Sequence, residues 1–411
     1  MNGDAQYNLH TPWLVDDDYF RSGFAYTRLQ EQDFAELYLN VGNKYVTGTV
    51  AFMASLFSDW ARPLLENQLG IAQAYLTFHW DADIRTSKLK LQLKAGSFWD
   101  RFGWLESYDT YLFGRTHQLG AQARIELDAG RLTLYGLYGF GAHLEAIDVN
   151  QGLTLLNYVN LGANWNQQAN LGFYYLDSTT HDKRQLSEIT DADMSVVGTD
   201  GWLKTPLLGR FYLGLSYVNA THAKYLSPAI EVMHSYGGRG ITENFLGTEK
   251  SENGTGWLFN VAFEHSYSLR AVLHRYAPER LAFLHGGDIS LRWFGLYTNV
   301  ASKQLDADPL INKDGREYFK WGIEPAVHAL SWLLLSLRYD RVISDLNDNA
   351  NSFRILTPRI TFTTHYWVNA QIYLQYSRYS YGARALLRPG QVALETMPDT
   401  DVFKLQAQMV F

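Results

Sequence analysis

Three lysines at alternating positions form a basic pattern that could bind anions. Lys88, Lys90 and Lys94 lie in the segment KLKLQLKA, and leucines occupy positions between them. Successive side chains of a β-strand point to opposite faces, so this segment has one basic face and one apolar face. Fixed positive charges in a confined space attract anions, so this lysine ladder predicts an anion-binding surface. The alternative is that the lysines pair with acids on neighbouring strands and select nothing.

The same alternation places other basic side chains on the polar faces of further predicted strands. The acids found on these faces are fewer, namely Glu36, Glu126, Glu264, Glu324 and Asp340. If the polar faces enclose a lumen, that lumen is cationic although the whole chain has a net charge of −7. The predicted pore-lining and anion-binding residues are Lys88, Lys90, Lys94, Arg124, Arg131, Arg210, Arg270, Arg292, Lys320, Arg338 and Arg359.

A segment rich in aromatic residues and arginine follows the lysine ladder. It spans residues 100–116 and reads DRFGWLESYDTYLFGRT. One interpretation is a loop that folds into the lumen and narrows it, and the alternative is a loop on the outer surface. The residues predicted to form such a constriction are Arg101, Trp104, Tyr108, Tyr111 and Arg115.

Several other chemistries find no support in the sequence. The chain has no cysteine, which excludes disulfides, thiolate metal sites and cysteine catalysis. Its twelve histidines show no metal-ligand spacing such as HxH or HExxH, so we predict neither a metal site nor a cofactor. His222, His234 and Ser235 lie near a long loop without a recognisable nucleophile setting, so we predict no enzymatic activity. The negative net charge argues against nucleic-acid binding.

The elements that carry these residues show a period of two. The final segment, VFKLQAQMVF from Val402 to Phe411, alternates apolar and polar side chains, and FAELYLNV from Phe34 to Val41 does the same. Such alternation is typical of strands with a different environment on each face. Aromatic residues make up 15% of the chain, which suits the interfacial girdles of membrane barrels.

The spacing of the strands predicts one large barrel. Segments of roughly nine to twelve residues alternate between very short turns and long loops, and a membrane-spanning strand needs about 9–11 residues. No apolar run is long enough for a transmembrane helix. We therefore predict an all-β fold, a single transmembrane antiparallel β-barrel of 18 strands, with 16 or 20 as alternatives. The period is weakest in residues 191–203 and 280–303. Residues 1–18 are predicted to form an N-terminal periplasmic segment, and residues 19–411 the barrel.

Two stretches resemble known outer-membrane proteins. The ending on Phe411 resembles the closing strand of Gram-negative outer-membrane β-barrels of the porin type, in which the barrel-insertion machinery recognises the last Phe. The stretch GSFWDRFGW, residues 96–104, resembles the strand-to-loop passage of phosphate-selective porins. The resemblance implies a bacterial outer-membrane location, contact with lipid and lipopolysaccharide, recognition by the insertion machinery, and possible assembly as a homotrimer.

Three functions are compatible with a barrel that has a basic lumen. The first is a porin for diffusion of small, preferentially anionic solutes. The second is an export channel for an anionic polysaccharide, because the basic lumen resembles that of alginate-type export barrels. The third is the barrel component of a multi-protein trans-envelope complex with a periplasmic partner.

Overall fold

The computed structural model describes most of the chain as β-strands. None of the described residues belongs to a helix long and apolar enough to cross a membrane. The described residues are 2–10, 33–56, 68–101, 115–143, 153–181, 191–205, 208–221, 230–231, 256–269, 288–302, 316–343, 346, 352–365, 369–381, 383–388, 391–396 and 399–410.

Alternation of apolar and polar residues is present along most of the strands, which explains why these segments pair into a sheet with two distinct faces. The strands are β1 (Asn2–His10), β2 (Asp33–Gly42), β3 (Val46–Leu56), β4 (Gln68–Ile84), β5 (Ser87–Arg101), β6 (Arg115–Asp128), β7 (Leu132–His143), β8 (Leu153–Trp165), β9 (Ala169–His181), β10 (Asp191–Thr205), β11 (Gly209–Thr221), β12 (Ile230–Glu231), β13 (Gly256–Ser268), β14 (Asp288–Ser302), β15 (Arg316–Leu330), β16 (Leu333–Ile343), β17 (Phe353–His365), β18 (Asn369–Tyr381), β19 (Ala383–Arg388), β20 (Gln391–Thr396) and β21 (Thr400–Val410).

The main sheet closes on itself. Within the described residues, sixteen strands form an uninterrupted antiparallel meander, from β2 to β11 and from β13 to β18. The two ends of the chain complete the ring, because β21 pairs with β18 and β1 pairs with both β21 and β2. The predicted all-β antiparallel barrel is thus confirmed, and its predicted range of 16 to 20 strands contains this arrangement.

The N-terminal strand replaces the separate periplasmic segment that the sequence suggested. Residues 2–10 lie between β2 and β21, with Ala5 opposite both Ala35 and Met409. An antiparallel ring needs an even number of strands, and without β1 the strands β2 and β21 would run in the same direction. The predicted strand from Phe20 to Leu29 lies outside the described residues.

The two ends of the barrel differ in the length of their connections. At one end, the short-turn end, connections such as Arg85-Thr86 and Ser331-Trp332 have two or three residues. At the other end, the long-loop end, one connection spans residues 222–255 and includes β12. The pattern has one exception at the short-turn end, where 19 residues separate β13 from β14.

Three local features differ from what the sequence alone suggests. The dipeptide His265-Ser266 reads as a turn in the sequence, but β13 continues through it, because both residues pair with β11 and β14. The described residues of the two segments with the weakest period lie in the regular strands β10 and β14, and β14 is continuous through Phe294-Gly295. A hairpin of β19 and β20, which the sequence did not suggest, precedes the last strand.

The two faces of the ring differ in the way that the alternation predicts. The outer face carries exposed apolar side chains, such as Leu93, Phe173, Leu213 and Leu374. The inner face, which we call the lumen face, carries most of the charged and amide side chains together with many tyrosines. The ring therefore encloses a polar interior within an apolar exterior.

Candidate functional site

The lumen face of β4 to β6 carries the lysine ladder, and each lysine has an acidic partner. Lys88 lies near Asp81 of β4, and Lys90 near Glu126 of β6. Lys94 lies near Asp100, farther along its own strand. The distances from Nζ to the carboxylate oxygen are 3.4 Å for Lys88–Asp81, 2.6 Å for Lys90–Glu126 and 3.6 Å for Lys94–Asp100. The alternative interpretation of the ladder, pairing with acids, therefore describes its geometry.

The described part of the lumen face carries at least four acids that the sequence did not predict. Asp81 and Asp83 belong to β4, which extends to Ile84. Asp100 lies within β5, not in a loop. Asp200 lies on β10, whose alternation is weak. These acids reduce the excess of positive charge that the sequence predicts for the lumen face.

Asp100 is the centre of a polar cluster on the wall of β5, β6 and β8. Its Oδ2 accepts hydrogen bonds from the hydroxyl of Tyr158 and from the amide of Gln122. The amide of Gln118 also donates to the Tyr158 hydroxyl. Gln118 and Tyr158 are almost completely buried. This cluster thus fixes a carboxylate against the wall through groups from three strands.

A second acid on the same side of the ring is enclosed by tyrosines. Asp200 is buried, its Oδ2 accepts a hydrogen bond of 3.0 Å from the Tyr212 hydroxyl, and the buried Tyr174 lies on the same face of the neighbouring strand β9. In register, Asp200 stands between the glycines 172 and 214. A Cβ at Gly172 would collide with the Tyr174 hydroxyl, so the glycine is what lets Tyr174 lie against the wall. Neither the acid nor its tyrosine partners was predicted.

The opposite wall, formed by β14 to β16, carries a buried network of charges. The guanidinium of Arg338 donates hydrogen bonds of 2.8–3.0 Å to both carboxylate oxygens of Asp340, and it lies 4.0 Å from Glu324. Arg338 is 1% exposed and Asp340 is 0% exposed. The Arg338 guanidinium also stacks 4.5 Å from the ring centroid of Phe294. This ring lies over Gly322, where any Cβ would collide with it and with Asp340.

The remaining predicted basic residues differ in their surroundings. On β17, the Arg359 guanidinium donates to the neutral Gln375 and lies 4.4 Å from the Tyr373 ring centroid. Arg210 lies 5.0 Å from the Trp202 ring centroid, and Arg292 lies 5.4 Å from that of Phe294. Lys320 is fully buried on β15. Arg124 lies 3.3 Å from Glu126, and Arg131 is an exposed residue of a short turn.

Several predicted site residues lie outside the described residues. These are Arg270, Trp104, Tyr108, Tyr111 and the proposed insertion signal Phe411. Arg101 and Arg115 are described as the paired ends of β5 and β6, and they flank the predicted constriction loop.

Burial of the lumen face changes along the barrel axis. Near the short-turn end, Lys88 and Asp81 are about half exposed, at 48% and 52% of their side chains. Toward the long-loop end, lumen-facing apolar residues such as Met194, Val218 and Ile355 are fully buried. The lumen is therefore open to water at the short-turn end and filled toward the long-loop end. No group of three potential metal ligands occurs among the residues for which the structure gives positions.

Comparison with known protein families finds no match, and no curated protein matches either. Similar solved structures include Wzi of Escherichia coli, described as an outer-membrane protein involved in group 1 capsule assembly and as a carbohydrate-binding β-barrel. It is 9% identical, with a TM-score of 0.47, over 100% of this chain and 83% of that chain. OccAB3 of Acinetobacter baumannii is 10% identical, with a TM-score of 0.43, over 100% and 98% of the two chains. OmpT, an outer-membrane protein of Vibrio cholerae, is 8% identical, with a TM-score of 0.36, over 100% and 98%.

Proposed function

We propose that the chain is a bacterial outer-membrane channel for small polar solutes. The observation that carries this proposal is a closed antiparallel ring with an apolar outer face and a charged lumen face. Hydrocarbon cannot hydrogen-bond to backbone groups, and a closed ring leaves no strand edge unpaired. A ring of this size is wide enough to hold water between its walls.

The outer face supports the membrane location. Leu93, Leu213 and Phe173 would face hydrocarbon, which suits exposed apolar side chains without a protein partner. Trp165 and Trp332 are exposed beside short turns, where a membrane barrel carries an aromatic girdle. In this orientation the short-turn end faces the periplasm and the long-loop end faces the cell exterior.

The preference for anions is proposed to arise from the β14–β17 wall instead of the lysine ladder. Every ladder lysine lies within 4 Å of a carboxylate, so the ladder adds little net charge to the lumen. On β17, hydrogen bonds to Gln375 hold the positively charged Arg359 guanidinium on the lumen face. A fixed charge in a confined pore attracts ions of opposite sign.

Reversal potentials under a KCl gradient across a planar bilayer test this assignment. Arg359→Gln is expected to shift the reversal potential toward cation selectivity, because it removes positive charge from the lumen wall. The matched control is the double variant Lys90→Gln/Glu126→Gln, which removes an ion pair without changing the net charge and should leave the reversal potential unchanged. If the control shifted the reversal potential strongly and Arg359→Gln did not, the lysine ladder would be the source of the selectivity.

The same bilayer measurement separates the channel from the other two functions. A steady current from the purified chain supports the channel. Absence of current, together with co-purification of a periplasmic partner, would favour a barrel component of a trans-envelope complex. Loss of surface polysaccharide after deletion of the chain would favour export of an anionic polymer.

A further inference from the structure

Strand β5 folds back toward its own lumen face. The Nζ of Lys94 lies 3.6 Å from Oδ1 of Asp100, although the two residues are six positions apart in the chain. A straight strand would place their Cα atoms about 20 Å apart, at roughly 3.3 Å per residue, which is beyond the reach of a lysine and an aspartate side chain. Gly96 lies between them with a φ of 136°, a conformation open to glycine and rarely to other residues. The strand therefore bends at or near Gly96.

Beyond the bend, the ends of β5 and β6 leave the wall together. The pairing of β4 with β5 stops at Ala74 and Ser97, whereas β4 itself continues along β3. The pairing of β6 with β7 stops at Gln118 and His143. β5 and β6 still pair with each other as far as Arg101 and Arg115. We call residues 98–101 and 115–117 the inner hairpin.

Contacts on both sides place the inner hairpin against the lumen face. Phe98 is fully buried, and its ring meets that of Tyr75 edge to face, with 6.0 Å between centroids. Asp100 accepts hydrogen bonds from Tyr158 and Gln122, which belong to the wall. Strand β12, which lies in the connection after β11, pairs with Arg115 and Thr116 of β6 and so extends the edge of the inner hairpin.

We propose that Asp100 is a positioning residue that clasps the inner hairpin against the wall and thereby sets the bore of the channel. The clasp consists of three wall groups that converge on one carboxylate: the Lys94 ammonium, the Gln122 amide and the Tyr158 hydroxyl. Without the carboxylate, the hydroxyl and the amide lose their shared acceptor, and the hairpin is free to swing away from the wall. The role in setting the bore depends on the proposed channel function, but the clasp itself does not.

The first test is the single-channel conductance of Asp100→Ala. Conductance is expected to change on the order of twofold, because the current follows the open cross-section of the pore. Asp100→Asn keeps an acceptor oxygen for Tyr158 and Gln122, so it should change the conductance less. The matched control is Asp81→Ala, which also removes a lumen acid paired with a ladder lysine but lies away from the inner hairpin. Conductance in Asp100→Ala equal to that of the unmodified chain and of the control would overturn the role in setting the bore.

A second readout reports the position of the hairpin without any current. The chain has no cysteine, so the single variant Phe98→Cys provides a labelling reporter free of background. The Phe98 side chain is fully buried, so alkylation of this cysteine by a water-soluble maleimide is expected to be slow when Asp100 is present and several-fold faster when Asp100→Ala is added. Equal rates in the two backgrounds would refute the clasp. If Phe98→Cys shows the difference in rate while the unmodified chain carries no current, the channel is refuted and the clasp is retained.

Discussion

Replacing Leu93 with arginine is expected to lower the free energy of unfolding by about 2–4 kcal/mol, the usual cost of a cation on the lipid face near the bilayer midplane. Leu93 lies midway along β5 on the outer face and is 49% exposed. Its cross-strand neighbours are the apolar Phe78 and Ala123, so an arginine there would have no acid directly opposite it on either neighbouring strand. Urea unfolding in lipid vesicles, followed by tryptophan fluorescence, measures the change.

The control for this experiment introduces the same charge on the other face. His79 lies on the adjacent strand, opposite Gln92, and points to the lumen. Because water can reach that side, His79→Arg is expected to change the free energy of unfolding by less than about 1 kcal/mol. If the two arginines destabilised the chain equally, the assignment of lipid and water to the two faces would be wrong.

The two faces could be predicted because the signal is local to each strand. In KLKLQLKA and VFKLQAQMVF the alternation itself separates the outer face from the lumen face, whatever the neighbouring strands are. The first strand carries the same signal, with Ala5, Tyr7 and Leu9 alternating with polar residues. Only three apolar residues take part in it, so the pattern is too short to predict a strand without knowledge of its partners.

The charge balance of the lumen could be predicted only in part. The hairpin turn Arg85-Thr86 sets the register of β4 against β5, so an acid opposite Lys88 and another opposite Lys90 were within reach of the sequence. The partner of Lys94 was not. Asp100 meets Lys94 only because β5 bends near Gly96, and no period in the sequence marks a bend that brings two residues of one strand together.

The constriction hypothesis illustrates the same limit in another way. The sequence left two interpretations of residues 100–116, a loop that folds into the lumen and a loop on the outer surface. The described strands on both sides of that loop do lie over the lumen face, as the hydrogen bonds of Asp100 to Tyr158 and Gln122 show. The inner hairpin begins where β4 stops pairing with β5 and β7 stops pairing with β6. These end points depend on the neighbouring strands and not on the loop itself.

Replacing Asp340 with alanine is expected to lower the free energy of unfolding by about 3–5 kcal/mol, because it leaves a buried guanidinium without its main partner. Asp340 accepts three hydrogen bonds from Arg338, and both side chains are buried. Glu324, at 4.0 Å, is too far to replace these bonds without movement. The same unfolding assay in vesicles measures the loss, and the shift of the folded band on unheated SDS gels provides an independent check.

A double variant separates the buried charge from the lost contacts. In Arg338→Met/Asp340→Ala no guanidinium remains to be left unpaired, so the double variant should be more stable than Asp340→Ala alone. Lys88→Gln is the exposed comparison: the Lys88–Asp81 pair is about half exposed, and its loss is expected to cost less than about 1 kcal/mol. If Asp340→Ala cost no more than Lys88→Gln, water would have to reach Arg338, and the β14–β16 wall would be part of the open pore instead of its packed support.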